Sequence, residues 1–151
     1  MHPFRSAIEA DDLDRALALF SPEVVFSSPV VFRPYHGRDA LGVILRAVTR
    51  VFEYFRYERE IGAPGASDHA LVFRARVGER ELHGCDFLHT APDGLIDEMT
   101  VMVRPRSAML ALAEAMQAEM LAMQSAPAPA LAPAPASAPA LTPDPGAQAP
   151  T

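Results

Sequence analysis

Two apolar stretches, ELHGCDFLH (81–89) and GLIDEMTVMVRP (94–105), constrain the fold more than any other part of the sequence. The turn between them reads Ala91-Pro92-Asp93-Gly94, and the pair Asp-Gly supplies the left-handed backbone that tight β-turns require. Both flanking stretches are rich in residues that favour extended structure. The pattern predicts two neighbouring antiparallel strands.

A carboxylate, Asp86, lies in the middle of the first predicted strand. Strand side chains alternate between two faces, so Asp86 shares a face with Gly84 and Leu88. A buried acid is costly unless it is hydrogen-bonded or protonated, which makes Asp86 the main candidate functional group. The same period also fits a solvent-facing Asp86, and the sequence leaves both orientations open.

Size and charge limit the function classes. The chain has 151 residues, of which 50% are hydrophobic, enough for one domain with a core. All 13 basic residues are Arg and the net charge is −6, which argues against a nucleic-acid surface. No apolar run reaches about 18 residues, so no membrane segment is predicted.

Cysteine and histidine usage limits the chemistry further. A single cysteine excludes an internal disulfide framework and a cysteine-based zinc site, and it suits a cytoplasmic location. No histidines and carboxylates occur at metal-ligand spacing, so we expect neither a metal nor a cofactor. His83 and His89 alternate with Asp86 and are expected to face the other way.

The chain divides into three predicted parts. Residues 1–106 form the domain, and residues 107–124 form an amphipathic helix with a methionine stripe, capped by Ser107. This helix either covers a pocket or lies across a dimer partner. Residues 125–151 are mostly Ala and Pro with almost no charge, a composition typical of a disordered tail.

Hydrophobic periodicity predicts an α+β domain with helices on one face of a curved antiparallel sheet. Asp11 or Asp12 is expected to cap the second of two short N-terminal helices. The predicted order begins with two short helices within 3–20, a strand at 23–28 and a long helix at 38–55. A four-strand meander follows, made of 56–61, 69–77 and the two strands of the hairpin.

Two segments, AIEADDLDRALALFSPEVVFSSPVVFRPYHGRDAL (7–41) and GCDFLHTAPDGLIDEMTVMVRP (84–105), carry a family resemblance. Residues 3–107 resemble the nuclear transport factor 2-like superfamily, in particular its SnoaL-like and ketosteroid-isomerase-like branches. The resemblance implies a cone-shaped curved sheet around a deep apolar pocket, with N-terminal helices and one long helix. It also implies a homodimer formed through the outer sheet surface.

The residues that the steroid isomerases use are mostly replaced here. Their catalytic Asp precedes the proline that ends the first strand, and Ser28 occupies that place. Their oxyanion-hole Tyr corresponds to Phe4, and the Tyr that supports it from the long helix corresponds to Leu45. Only the second oxyanion donor, a carboxylic acid kept protonated by apolar surroundings, has a counterpart, which is Asp86.

The cyclase and epoxide-hydrolase branches carry a working Asp, or a His/Trp-Asp pair, in the last strand. Here that stretch reads Met99-Thr100-Val101-Met102 and contains no acid. None of the three reactions is therefore carried over to this chain. The resemblance implies a ligand hydrogen bond from Asp86 more directly than it implies any named activity.

Three function hypotheses follow. The first is a protein that binds a small, mostly apolar molecule, with Asp86 as the polar group of the pocket. The second is an isomerase, cyclase or hydrolase that uses Asp86 with Tyr35 or His36, although these two residues also suit the loop before the long helix. The third is a non-catalytic dimeric interaction module with a filled pocket. The expected pocket wall is Phe20, Phe26, Ser28, Leu41, Leu45, Val48, Phe52, Phe73, Asp86, Leu88, Met99, Val101 and Val103.

Overall fold

The computed structural model describes residues 1–125, so the predicted tail lies outside the described residues except for Ser125. The α+β class is confirmed. The elements are α1 (Pro3–Glu9), α2 (Leu13–Ala18), β1 (Phe20–Ser27), β2 (Tyr35–His36), α3 (Arg38–Val51), β3 (Glu53–Ile61), β4 (Asp68–Val77), β5 (Arg80–Thr90), β6 (Ile96–Arg104) and α4 (Arg106–Ser125).

Six strands form one curved, unclosed sheet in the order β2-β1-β6-β5-β4-β3. The run from β3 to β6 is the antiparallel meander that the sequence predicts, and β1 adds to β6 in parallel. Gly94, in the turn before β6, has φ of 86°, which explains the glycine of the Asp-Gly pair. The hairpin pairs Asp86 with Val101, so both lie on the same face.

Polar caps define the two N-terminal helices. The side chain of Asp12 accepts a hydrogen bond from the backbone N–H of Arg15 at 3.0 Å, so Asp12 is the cap of α2. Asp11 instead occupies the left-handed link before it, with φ of 55°. At the start of α1, Nδ1 of His2 accepts from the N–H of Phe4 at 3.1 Å. These caps satisfy backbone N–H groups at the starts of α1 and α2.

Three predicted boundaries are wrong. Strand β3 begins at Glu53 rather than residue 56. Strand β1 begins at Phe20 rather than residue 23. Helix α3 ends at Val51, whereas the prediction extended it to Phe55. Phe52 already has an extended backbone, with ψ of 129°, and Phe55 lies in β3. Both phenylalanines keep the helical spacing of the residues before them, so the periodicity does not reveal where the helix stops.

Helix α4 is one residue longer at each end than the predicted range 107–124. Ser107 is therefore inside the helix and is not its cap. None of the helices within residues 1–125 is long and apolar enough to cross a membrane.

The main core lies between the helices and the concave face of the sheet. Its largest fully buried side chains come from α1, α3 and three of the strands, namely Phe4, Phe20, Val24, Leu41, Leu71, Phe73 and Leu88. On the opposite face of the sheet, Phe87 and Met102 remain 42% and 59% exposed.

Candidate functional site

Asp86 points to the concave side of the sheet. It is 5% exposed, and the neighbouring buried positions of β5 are Leu82, Gly84 and Leu88. Of the two orientations compatible with the sequence, the structure therefore has the buried one. A carboxyl group at such a position needs a hydrogen-bond partner or a proton.

The partner is Tyr57 of β3. Its hydroxyl donates a hydrogen bond to Oδ2 of Asp86 at 2.9 Å. Tyr57 is the buried position of a strand whose other side chains are half-buried or exposed. Its ring contacts Phe55 edge-on, with centroids 4.9 Å apart, and the Arg5 guanidinium lies 5.8 Å from its centroid. The polar pair is thus held in largely aromatic surroundings.

Burial raises the pKa of Asp86 to about 7, although the hydrogen bond from Tyr57 acts in the opposite direction. The pKa of Tyr57 lies well above its ordinary value, because the ring is buried and because Asp86 would repel the phenolate. Near neutral pH, Asp86 therefore populates both protonation states while Tyr57 keeps its proton. Oδ1 of Asp86 has no side-chain partner within residues 1–125, so it is available to a ligand.

A cavity of about 620 Å³ lies beside this pair. Its volume falls in the range of small-molecule sites. Helix α1 contributes Phe4 and Ile8, and α3 contributes Ile44, Leu45, Val48 and Thr49. An aromatic group next to Asp86 consists of Phe52, Phe55, Tyr57 and Phe73. The segment after β1 and helix α4 complete the wall with Ser28, Pro29, Val30, Val31, Leu112, Ala113, Met116, Gln117 and Met120.

Most residues expected on the wall do lie along this cavity, and the structure corrects four. Those on the wall are Phe26, Ser28, Leu45, Val48, Phe52, Phe73, Asp86, Met99 and Val101. Phe20, Leu41 and Leu88 instead lie in the solid core, each no more than 2% exposed, and Val103 packs against that core further along β6. The periodicity of apolar residues identifies the buried face of a strand or helix. It does not say whether that face packs against other side chains or lines a cavity.

Tyr35 and His36 form the short strand β2 and so point to opposite sides. The ring of Tyr35 lines the cavity and lies 6.2 Å from that of Phe26. His36 is exposed and does not line the cavity, so the structure does not bring it together with Asp86.

Sequence reasoning missed Tyr57. It gave the covering of a pocket by α4 as one of two alternatives, and α4 does line the cavity. The sequence around Tyr57 gave no signal, since the same strand also contains Tyr54 and Phe55 and aromatic residues are common in strands. Nothing local indicated its partner, because 29 positions separate Tyr57 from Asp86. Across residues 1–125, no three His, Cys, Asp or Glu side chains lie close enough together to hold a metal ion.

The fold and the site can be compared with known proteins. Residues 2–99 match the family model of the SnoaL-like domain. The chain belongs to the SnoaL-like family. The SnoaL-like match includes Asp86 and Tyr57, and it ends before α4 begins. No curated protein sequence is significantly similar to the chain.

Solved structures agree with this assignment. A steroid delta-isomerase from Pseudomonas aeruginosa is 39% identical over 80% of this SnoaL-like chain and 88% of its own, with a TM-score of 0.76. A protein with a cystatin-like fold from Silicibacter pomeroyi DSS-3 is 33% identical over 83% and 89% of the two chains, with a TM-score of 0.74. A nuclear transport factor 2-like protein from Burkholderia xenovorans LB400 shares the fold at 15% identity, a TM-score of 0.56 and coverages of 70% and 84%.

Proposed function

We propose that this SnoaL-like protein binds an uncharged, mostly apolar small molecule that carries one oxygen function. The observation behind the proposal is the buried hydrogen bond between Tyr57 and Asp86 beside an apolar cavity of about 620 Å³. Oδ1 of Asp86 has no side-chain partner within residues 1–125 and can bind a ligand. Such a site combines a large apolar surface for affinity with one polar group for orientation.

The charges of the wall argue for an uncharged ligand. Among the described residues that line the cavity, Asp11 and Asp86 are the ionisable acids, and there is no Arg, Lys or His. A carboxylate or phosphate ligand would enter without a counter-charge, and the loss of its hydration would not be offset. A ketone or a phenol avoids this cost.

Both kinds of ligand suit the protonation behaviour of Asp86. When protonated, Asp86 can donate a hydrogen bond from Oδ1 to a carbonyl oxygen while Oδ2 accepts from Tyr57. When ionised, it can accept from the hydroxyl of a phenol. Because the pKa of Asp86 is about 7, both modes are accessible near neutral pH.

Enzymatic proton transfer is the second candidate. It is supported by the 39% identity to a steroid delta-isomerase and by a carboxyl pKa close to 7, where an acid can take up and release protons. Ser28 stands where the sequence resemblance puts the isomerase base, so Asp86 itself would have to carry the proton.

The test uses 2-naphthol as a phenolic probe and compares Asp86→Asn with Asp86→Leu. Asn retains a hydrogen-bonding group and Leu does not, so we expect Asn to stay within about threefold of the wild-type Kd and Leu to weaken binding about tenfold or more. Isothermal titration calorimetry measures both. Equal losses for the two variants would remove the hydrogen-bond role, and Ser28→Ala serves as a control on the same wall.

The same variants separate binding from catalysis. If Asp86 is a general base, a steroid with a movable double bond should be isomerised by the wild type, and turnover should disappear with Asn as completely as with Leu. A binding protein would show no turnover in any of the three.

We also propose a homodimer formed through the outer sheet face. Phe87 and Met102 are exposed there, and large exposed apolar side chains on one face favour an interface. Sedimentation velocity should give twice the chain mass for the wild type and a monomer for Phe87→Glu. The cavity volume weighs against the interaction module with a filled pocket, and a cytoplasmic location stays a prediction from sequence.

A further inference from the structure

The packing of α4 changes along its length. In the first half, Ala108 and Leu112 are buried to 0% and 3% exposure. After Leu112, no side chain of the helix is buried. We call residues 113–125 the outer segment. The helix is therefore fully buried only near its start, and in the outer segment Ala115 and Met116 contact the core while staying partly exposed.

The outer segment forms part of the cavity wall, although none of its side chains is fully buried. Ala113, Met116, Gln117 and Met120 all line the cavity. Positions three and four apart share one face of a helix, so these side chains form a single stripe along the cavity. Methionine side chains are flexible and adapt to different apolar surfaces.

One ion pair fastens the outer segment. The Nη1 atom of Arg50, in the last turn of α3, lies 3.0 Å from Oε1 of Glu119. Within residues 1–125, this is the only side-chain hydrogen bond or ion pair that joins the outer segment to another element. Arg50 directly follows Thr49, which lines the cavity, so the ion pair lies at its rim.

We propose that the outer segment of α4 is a gate over the cavity, held closed by the ion pair between Arg50 and Glu119. Its inner side contacts the ligand through Met116 and Met120, and it moves away from α3 when a ligand enters or leaves. The gate rests on the proposed function only in that the cavity takes a ligand. It does not depend on the hydrogen bond to Asp86.

The test measures ligand exchange with N-phenyl-1-naphthylamine, an uncharged dye that becomes fluorescent in apolar sites. Stopped-flow mixing with the full chain gives its association and dissociation rates. Glu119→Gln should raise both rates about two- to fivefold, as expected for the loss of a surface ion pair. The Kd should stay within about twofold, because the ion pair is lost in the free and bound states alike.

Glu114→Gln is the matched control, since Glu114 is an exposed acid on the same helix and has no ion pair among the described residues. It should leave both rates unchanged. Raising NaCl from 50 to 500 mM should speed exchange in the wild type but not in Glu119→Gln. Adding Arg50→Gln to Glu119→Gln should produce no further acceleration, because both variants remove one interaction.

Two outcomes would overturn the gate. Rates of Glu119→Gln equal to those of Glu114→Gln would show that the ion pair does not control entry, and the proposed ligand site would remain intact. A dye that does not bind the wild type at all would refute the apolar ligand site, and with it the gate.

Discussion

The behaviour of Asp86 follows from two opposing interactions on a single side chain. Burial favours its protonated form, and the hydroxyl of Tyr57, 2.9 Å from Oδ2, favours the carboxylate. The first effect is larger, so the pKa of Asp86 ends near 7 instead of 3.8. Tyr57 therefore adjusts the pH at which the site changes from hydrogen-bond donor to acceptor.

Replacing Tyr57 by Phe should raise the pKa of Asp86 by about one to two units, which corresponds to the loss of a hydrogen bond to a charged group. Carboxyl ¹³C chemical shifts followed through a pH titration measure it. Tyr35→Phe is the control, because it removes the same hydroxyl from another tyrosine on the cavity wall. An unchanged pKa in Tyr57→Phe would mean that the hydrogen bond does not form in solution.

At this scale, the sequence predicted part of the pair. Asp86 could be found because a carboxylate in the middle of an apolar strand breaks the local pattern. The burial of Asp86 could not be predicted, since the alternation of side chains along a strand is compatible with either face of the sheet. Tyr57 was not predicted because its contact with Asp86 depends on how β3, β4 and β5 align across the sheet. The shifts of register in β3 cannot be read from the sequence of that strand alone.

Among the elements, the contact between β4 and β5 helps to shape the cavity. Gly84 lies opposite Phe73, and a Cβ atom at Gly84 would lie 2.6 Å from Cε2 of that ring. The missing side chain lets the ring lie flat on the strand. Phe73 can then be nearly fully buried and still form part of the cavity wall.

Gly84→Ala should push the Phe73 ring toward the cavity and lower the free energy of unfolding by about 1–3 kcal/mol, as overpacked substitutions do. Urea unfolding measures the loss. Adding Phe73→Leu should restore part of it, because the smaller side chain leaves space for the new methyl group. If the double variant is less stable than both single variants, the steric explanation does not hold.

The sequence predicted the elements better than their ends or their surroundings. The meander, the long helix and the two short helices follow from apolar spacing, which each element must satisfy by itself. The end of α3 does not follow from apolar spacing, because Phe52 and Phe55 continue the helical spacing beyond it. Helix α4 was recognised from its methionines, but its place over the cavity depends on packing against α3.

For the whole molecule, Asp86 links stability to pH. Its pKa is about 7 in the folded protein and near 3.8 when exposed, so between these values the folded state binds more protons than the unfolded state. Stability should therefore fall as pH rises through this range, by at most about 1.4 kcal/mol per pH unit. The contribution is most favourable below pH 3.8, and its loss is complete above pH 7.

Asp86→Asn does not titrate and isolates this effect. We expect the stability of the variant relative to the wild type to increase from pH 5 to about pH 7 and then to level off, because other groups contribute equally to both. Chemical unfolding at each pH gives the difference. A difference that does not vary with pH would mean that Asp86 is ionised throughout, with an ordinary pKa.

The cavity also gives the protein a volumetric property. A folded chain with a cavity of about 620 Å³ beside its core is packed less densely there than in the core, and unfolding removes the cavity. Compression therefore favours the unfolded state, and a guest that fills the cavity opposes compression. Hydrostatic pressure and a bound ligand should thus have opposite effects on the folding of this protein, even though pressure does not act at the binding site.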